Sequence, residues 1–134
     1  IEGLKPKIYG EGKNVRDWLH VEDHCSAILK IIENGKIGDT YLIGANCEKS
    51  NIEVIKMILK KMGRSDDWID YIEDRKGHDR RYAIDNSKIV NELDWVPTFT
   101  DFEDGIVNTI SWYVSNTNWW RETKITTENK YKKF

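Results

Sequence analysis

The sequence predicts a mixed α/β chain, and three observations predict it. Short runs rich in β-branched and aromatic residues alternate with stretches whose apolar residues recur at helical spacing. Two of the helical stretches open on a Ser/Thr-x-x-Glu pattern, in which the first side chain and the last can cap each other's backbone amides. The strand-like runs are few for an independent sheet, and Trp112, Trp119 and Trp120 add large apolar surfaces that need covering. Together these features predict a fragment that lacks a partner domain.

Taken in order, Lys7-Ile8-Tyr9 reads as extended and is followed by a Gly10-Glu11-Gly12 turn. Residues 15–21 alternate apolar and polar side chains, which predicts a short strand. Glu22 and Asp23 then put acids where a helix begins, with Ala27, Ile28, Ile31 and Ile32 at helical spacing. Asn34-Gly35 is expected to end that helix through a positive φ at the glycine. Residues 40–44, a Thr-Tyr-Leu-Ile-Gly run, predict a buried strand. Ser50 and Glu53 form one candidate capping box, opening a helix with Ile52, Ile55, Ile58, Leu59 and Met62 on one side and Gly63 at its end. Residues 68–72 read as another strand and 74–81 as a charged loop. A helix over 87–93 stops ahead of Pro97, and Thr100 with Glu103 forms the second capping box, opening a helix through Ile106, Ile110 and Tyr113. The expected division is a domain over 1–120 and a polar tail over 121–134 without regular structure.

Composition narrows the function classes. The chain has 134 residues, with 21 Lys and Arg against 23 Asp and Glu, for a net charge of −2. A general nucleic-acid-binding module needs a cationic excess to neutralise phosphates, so nucleic acid is not expected as a partner. Nor is a membrane, because no apolar run approaches the roughly 18–20 residues that a span requires. Cys25 and Cys47 lack paired spacing, which predicts reduced thiols in a cytoplasmic protein rather than a disulfide framework or a zinc site. The start, Ile1-Glu2-Gly3, is neither an initiator Met nor a signal peptide and reads as the interior of a longer polypeptide.

The densest chemistry is Asp74-Arg75-Lys76-Gly77-His78-Asp79-Arg80-Arg81. Guanidinium forks suit bidentate phosphate contacts, and Gly77 allows close backbone approach; the ordinary alternative is a solvated charged loop. Arg16 stands in an apolar, Trp-containing run, either paired with Asp17 or a nearby carboxylate, or free for an anion. Asn51 is a helix cap or a ligand contact, and Tyr9 a core-edge residue or a stacking surface. His20, His24 and Cys25 lack the second pair that a metal site needs. No Gly-x-Gly-x-x-Gly, Walker-type loop, nucleophile elbow or Tyr-x-x-x-Lys occurs, so no complete catalytic apparatus is present.

Several strings nevertheless carry a resemblance. Pro6-Lys7-Ile8-Tyr9-Gly10-Glu11-Gly12, Asn14-Val15-Arg16-Asp17-Trp18-Leu19-His20-Val21-Glu22-Asp23-His24, Tyr41-Leu42-Ile43-Gly44 with Glu48-Lys49-Ser50-Asn51, and the run from Asp74 to Asp85 occur in that order. They resemble the nucleotide-sugar 4,6-dehydratases of the extended short-chain dehydrogenase/reductase superfamily, above all those acting on dTDP-glucose. The likeness runs from about Leu4 to Trp120, and Lys76 stands where proline is common in the family.

The resemblance implies the carboxy-terminal, substrate-binding domain of such an enzyme, without its Rossmann domain. In that family a bound NAD oxidises C4 of the hexose, water is lost across C5 and C6, and the hydride returns to C6. The Thr-Asp-Glu set and the Tyr-x-x-x-Lys pair that do this belong to the amino-terminal Rossmann domain and match nothing here, so no catalytic and no cofactor-binding residue is expected. The resemblance assigns Lys7, Ile8 and Tyr9 to the nucleotide pocket and Arg16 and Arg75 to the pyrophosphate. It completes the site with Asn51, Asp74, Lys76, Gly77 and His78. The partners it implies are a dTDP-sugar, the amino-terminal domain that holds NAD, and a second subunit of the full-length homodimer. Tyr131 is left without a role. A related UDP- or GDP-sugar dehydratase or epimerase, or a non-catalytic interaction module, are the alternatives.

Overall fold

A computed structural model describes residues 1–131. Along the chain run β1 (Lys7–Tyr9), β2 (Val15–Asp17), α1 (Val21–Asn34), β3 (Glu48–Ser50), α2 (Asn51–Lys61), β4 (Asp70–Ile72), α3 (Ser87–Leu93), α4 (Phe102–Ser115) and α5 (Thr117–Tyr131). β1 pairs with β4 in parallel, setting Lys7 opposite Asp70 and Tyr9 opposite Ile72. β2 pairs with β3 antiparallel, setting Arg16 opposite Lys49 and Asp17 opposite Glu48. Val15 also bonds on its other edge, accepting from Tyr82 N at 3.1 Å and donating to the Arg80 carbonyl at 2.8 Å. The end of the charged run is thereby laid along β2.

Two apolar clusters hold these elements. Ala27 of α1 packs with Ile89 and Leu93 of α3 and with Trp95, flanked by Leu19, Tyr41 and Ile43. Ile8 of β1 packs with Leu59 of α2 and Ile69, flanked by Ile52, Ile55 and Trp68. Each fully buried aliphatic side chain contributes about 1.5–3 kcal/mol. The capping box at α2 forms as its sequence requires: Glu53 N donates to Ser50 Oγ, and Ser50 N donates to the Glu53 carboxylate at 2.7 Å. Gly63, with φ +67°, ends that helix.

Two carboxylates, one half-buried and one buried, tie loops to the frame. Asp17 accepts from Ala45 N at 3.1 Å and Cys47 N at 2.8 Å. Asp23, 2% exposed, accepts from Thr98 N at 2.7 Å and Phe99 N at 3.0 Å. Asp23 therefore does more than favour a helix start: it anchors the segment that leads into α4.

Several expectations change. The strand expected over 15–21 is shortened to β2: Trp18 N still donates to the Cys47 carbonyl at 3.0 Å and its indole to the Lys49 carbonyl at 3.0 Å, after which His20 caps α1 and the chain turns into the helix. Residues 40–44 form no ladder among the described residues. Tyr41 and Ile43 do turn towards the first cluster while Leu42 is 51% exposed, the alternation of a strand without a neighbour. Gly35 ends α1 at φ −70° rather than in the left-handed region; glycine is needed there because a Cβ would collide with the Ile31 carbonyl. The second helix start is not a Thr100 box: Asp101 is the cap, accepting from Glu103 N and Asp104 N. β3, unrecognised in a Glu-Lys-Ser sequence, exists because β2 lies beside it. Helix α5 occupies the stretch expected to be an irregular tail, and residues 132–134 lie outside the described residues.

Candidate functional site

The parallel β1–β4 pair sets the first half of the site. It brings the end of β1 against the end of β4, and Gly10 N donates to the Ile72 carbonyl at 2.9 Å. Tyr9 thus lies beside the loop that leaves β4. In that loop Asp74 accepts from Arg75 N at 2.8 Å and bonds His78 Nδ1 at 2.7 Å. Arg75 Nη2 reaches His78 Nε2 at 2.8 Å, which assigns the imidazole proton to Nδ1. The Arg75 guanidinium lies 4.8 Å from the centre of the Tyr9 ring, and Tyr9 meets the His78 ring edge-on at 6.1 Å. Hydrogen bonding from His78 holds the Asp74 carboxyl below its usual range. Gly77, at φ +72°, turns the loop, and Lys76 is exposed beside it. The charged run is therefore ordered at its start by its own side chains and by Tyr9.

β2 supplies the second half. Arg16 and Asp17 are consecutive strand residues and point to opposite faces, so they cannot pair. Asp17 serves backbone amides instead, and Arg16 donates to the Val15 carbonyl at 2.7 Å and the Asp79 carbonyl at 3.0 Å. Its guanidinium lies 4.5 Å from the centre of the Tyr82 ring. Among the described residues no carboxylate lies within ion-pair distance of Arg16 or Arg75. Arg81, by contrast, is neutralised by Glu48 through bonds of 2.5 and 2.6 Å, which keep the Glu48 carboxyl below its usual range.

The loop itself joins the two halves, since Asp79, next to His78, gives its carbonyl to Arg16 Nη2 at 3.0 Å, and Tyr82 lies against the Arg16 half. Its phenol donates to the Asp79 carboxylate, which raises its pKa, while the positive charges of both Arg16 and Arg75 act in the opposite sense. The two arginines singled out in the sequence, far apart along the chain, are thus linked through one loop, with Arg16 against Tyr82 and Arg75 against Tyr9. Asn51, the first residue of α2, donates its backbone N–H to the Asn14 carbonyl at 3.0 Å. The Asn14 amide in turn donates to the Asp79 carbonyl at 3.1 Å. Ser50, not Asn51, caps the helix, and the Asn51 amide has no hydrogen-bond partner among the described residues. Lys7 is exposed on β1, whereas the Ile8 side chain, 3% exposed, belongs to the core and leaves only its backbone for a ligand. Sequence reasoning missed Asn14, Asp79 and Tyr82 as members of this cluster; the one available signal was their place at the edges of the Arg16 and Arg75 strings.

A hollow of about 570 Å³ lies apart from these residues. Trp18, Val54, Phe102, Ile106, Trp112 and Trp119 are among its mainly apolar walls. It contains none of the arginines, and its chemistry suits apolar packing rather than a diphosphate.

Residues 1–109 match the family described as GDP-mannose 4,6 dehydratase. The chain belongs to that family. Within it, the chain is 55% identical over 131 residues to a dTDP-glucose 4,6-dehydratase from Mycolicibacterium smegmatis, with 98% of this chain and 40% of the relative covered. A dTDP-glucose 4,6-dehydratase from Bacillus anthracis, solved in complex with NAD, is 50% identical with a TM-score of 0.83 over 90% of this chain and 38% of that one. A UDP-glucose 4-epimerase from Thermotoga maritima, solved with UDP-glucose, is 26% identical with a TM-score of 0.76 over 84% of this chain and 36% of that one. The mixed α/β arrangement expected from the sequence is thus the arrangement found in part of the solved dTDP-glucose 4,6-dehydratase. The chain spans about 40% of the length of the curated relatives it matches.

Proposed function

We propose that this chain is the carboxy-terminal, nucleotide-sugar-binding portion of a dTDP-glucose 4,6-dehydratase, a lyase that converts dTDP-glucose to its 4-keto-6-deoxy product with loss of water. The observation that carries the reading is that one loop bears Arg75 and, through the Asp79 carbonyl, holds Arg16, with neither guanidinium paired with a carboxylate among the described residues. Arginines held by carbonyls, an imidazole and aromatic rings keep their charge and part of their donor set for an anion, and a diphosphate matches two such forks. Asn51 and the 74–78 loop flank them, and Lys7 and Tyr9 border the same side of β1 and its loop. The 55% identity to a dTDP-glucose 4,6-dehydratase supports dTDP-glucose over other nucleotide sugars.

The residues described do not fit NAD. The Gly10–Gly12 turn after β1 leads into β2 and not into a helix, and the space beside these glycines is filled by Asp74 and Ile8. That turn cannot seat a dinucleotide pyrophosphate on a helix N-terminus. The reading therefore gives NAD, and the catalytic groups, to an amino-terminal Rossmann domain in the rest of a longer polypeptide. It makes this chain inactive alone, and the whole enzyme a homodimer of the cytoplasm. Among the described residues no helix is long and apolar enough to cross a membrane.

Calorimetric titration of the chain with dTDP tests the site. Binding is expected to be weak and salt-sensitive, and Arg75→Ala to weaken it by about 10- to 150-fold, the value of one charge-assisted contact. Unchanged substrate affinity in the longer polypeptide carrying Arg16→Ala and Arg75→Ala overturns the assignment. The likeness to a UDP-glucose 4-epimerase supports a second reading, and competition among dTDP, UDP and GDP separates the two, because phosphate contacts are common to all three and base contacts are not.

A further inference from the structure

We propose that Tyr82 is a positioning residue for Arg16: its ring fixes the guanidinium plane and its hydroxyl keeps the Asp79 carboxylate away from it. The proposal rests on the nucleotide-sugar reading above. Arg16 and Tyr82 share their anchors. Val15 O accepts both from Arg16 Nη1 at 2.7 Å and from Tyr82 N at 3.1 Å. Asp79 gives its carbonyl to Arg16 Nη2 at 3.0 Å and its carboxylate to the Tyr82 phenol. With the ring 4.5 Å below the guanidinium carbon, these bonds close a loop of contacts that holds the guanidinium in one plane. Two of its five N–H groups point to carbonyls, and the remainder are left for a ligand.

The hydroxyl has a separate task. Asp79 is joined to Arg16 through its main chain, so its carboxylate is a competitor for the guanidinium that an incoming diphosphate would meet. The phenol holds that carboxylate as a hydrogen-bond acceptor, and the bond raises the phenol's pKa. Removing only the hydroxyl frees the carboxylate to pair with Arg16. Removing the ring as well also loses the cation–π surface. A purely structural tyrosine at this exposed position would not separate the two effects.

The experiment is calorimetric titration of the full 134-residue chain with dTDP, comparing Arg16→Ala, Tyr82→Phe, Tyr82→Leu, and Tyr82→Phe combined with Asp79→Asn. Circular dichroism and urea midpoints accompany each variant; the phenylalanine variant keeps the ring should the leucine variant unfold. Tyr82→Phe is expected to weaken dTDP by about 3-fold and Tyr82→Leu by about 5- to 10-fold. Adding Asp79→Asn to Tyr82→Phe is expected to restore affinity to within about 2-fold, because no carboxylate then competes. If Arg16→Ala weakens binding while both tyrosine variants bind normally, the inference falls and the site assignment stands. If the double variant is not restored, the hydroxyl role is overturned. If Arg16→Ala itself binds dTDP normally, or the parent chain binds none, the underlying reading fails first.

Discussion

Asp23→Asn offers the most quantitative check on how the frame is held. The carboxylate is 2% exposed and accepts two backbone amides, Thr98 N at 2.7 Å and Phe99 N at 3.0 Å, one on each oxygen. Asparagine keeps one oxygen and turns an NH2 group towards the other amide. One charge-assisted bond is lost and a buried N–H is left unpaired, which costs about 1.5–3 kcal/mol. The surviving bond loses its charge assistance, adding about 1 kcal/mol. The sum, about 2.5–4 kcal/mol, is a large share of the roughly 5–15 kcal/mol that a domain has in total. Urea unfolding followed by tryptophan fluorescence reads it, since Trp95 is bonded to Ser26 one turn along α1 at 2.9 Å. Asp101→Asn is the control. Asp101 also accepts two amides, but it is an exposed helix cap at which asparagine serves nearly as well, so its loss should stay below about 0.5 kcal/mol. Equal losses at the two positions would refute the claim that burial, rather than bond number, sets the value of these carboxylates.

Two further outcomes follow from the same geometry. The Asp74 carboxyl is held below its ordinary value of 3.8 by its bond to His78, so the loop contact is complete above that pH and is lost as pH falls through the lowered value. A carboxyl-carbon NMR titration should give a midpoint below 3.8 that His78→Ala returns towards it; a midpoint at or above 3.8 in the parent contradicts the contact. The outer face of α1 carries Leu29 at 58% and Ile32 at 74% exposure, with Ile37 fully exposed just beyond it. The isolated chain should accordingly bind a hydrophobic dye in its native state and unfold at low urea, while Ile32→Glu reduces dye binding and shifts stability by no more than about 0.5 kcal/mol. A sharp, high melt without dye binding would count against a face meant for another domain.

What was legible in the sequence had local causes. The capping box at Ser50 and Glu53 and the short helix over 87–93 depend on residues within a turn or two of one another, and both stand as read, whereas the apolar face of α2 also takes in Val54, 3% exposed and absent from the expected set. The Arg16 and Arg75 strings were legible as family patterns, and the match over residues 1–109 belongs to the same level. Tertiary pairing decided the rest. Whether residues 40–44 form a ladder depends on a neighbouring strand, which a Thr-Tyr-Leu-Ile-Gly run cannot supply for itself, whereas Glu-Lys-Ser becomes β3 only because β2 lies alongside. Arg16 could have paired with Asp17 or faced a ligand; strand geometry sent the two to opposite faces and gave Asp17 to backbone amides. Tyr82 acquires its place beside Arg16 through bonds of the 80–82 segment to Val15, across more than sixty positions of chain. Residue type determined which groups could bind an anion; the meeting of distant strands decided which of them kept their charge free to do so, because a guanidinium's partner is set by what packs beside it and not by what precedes it.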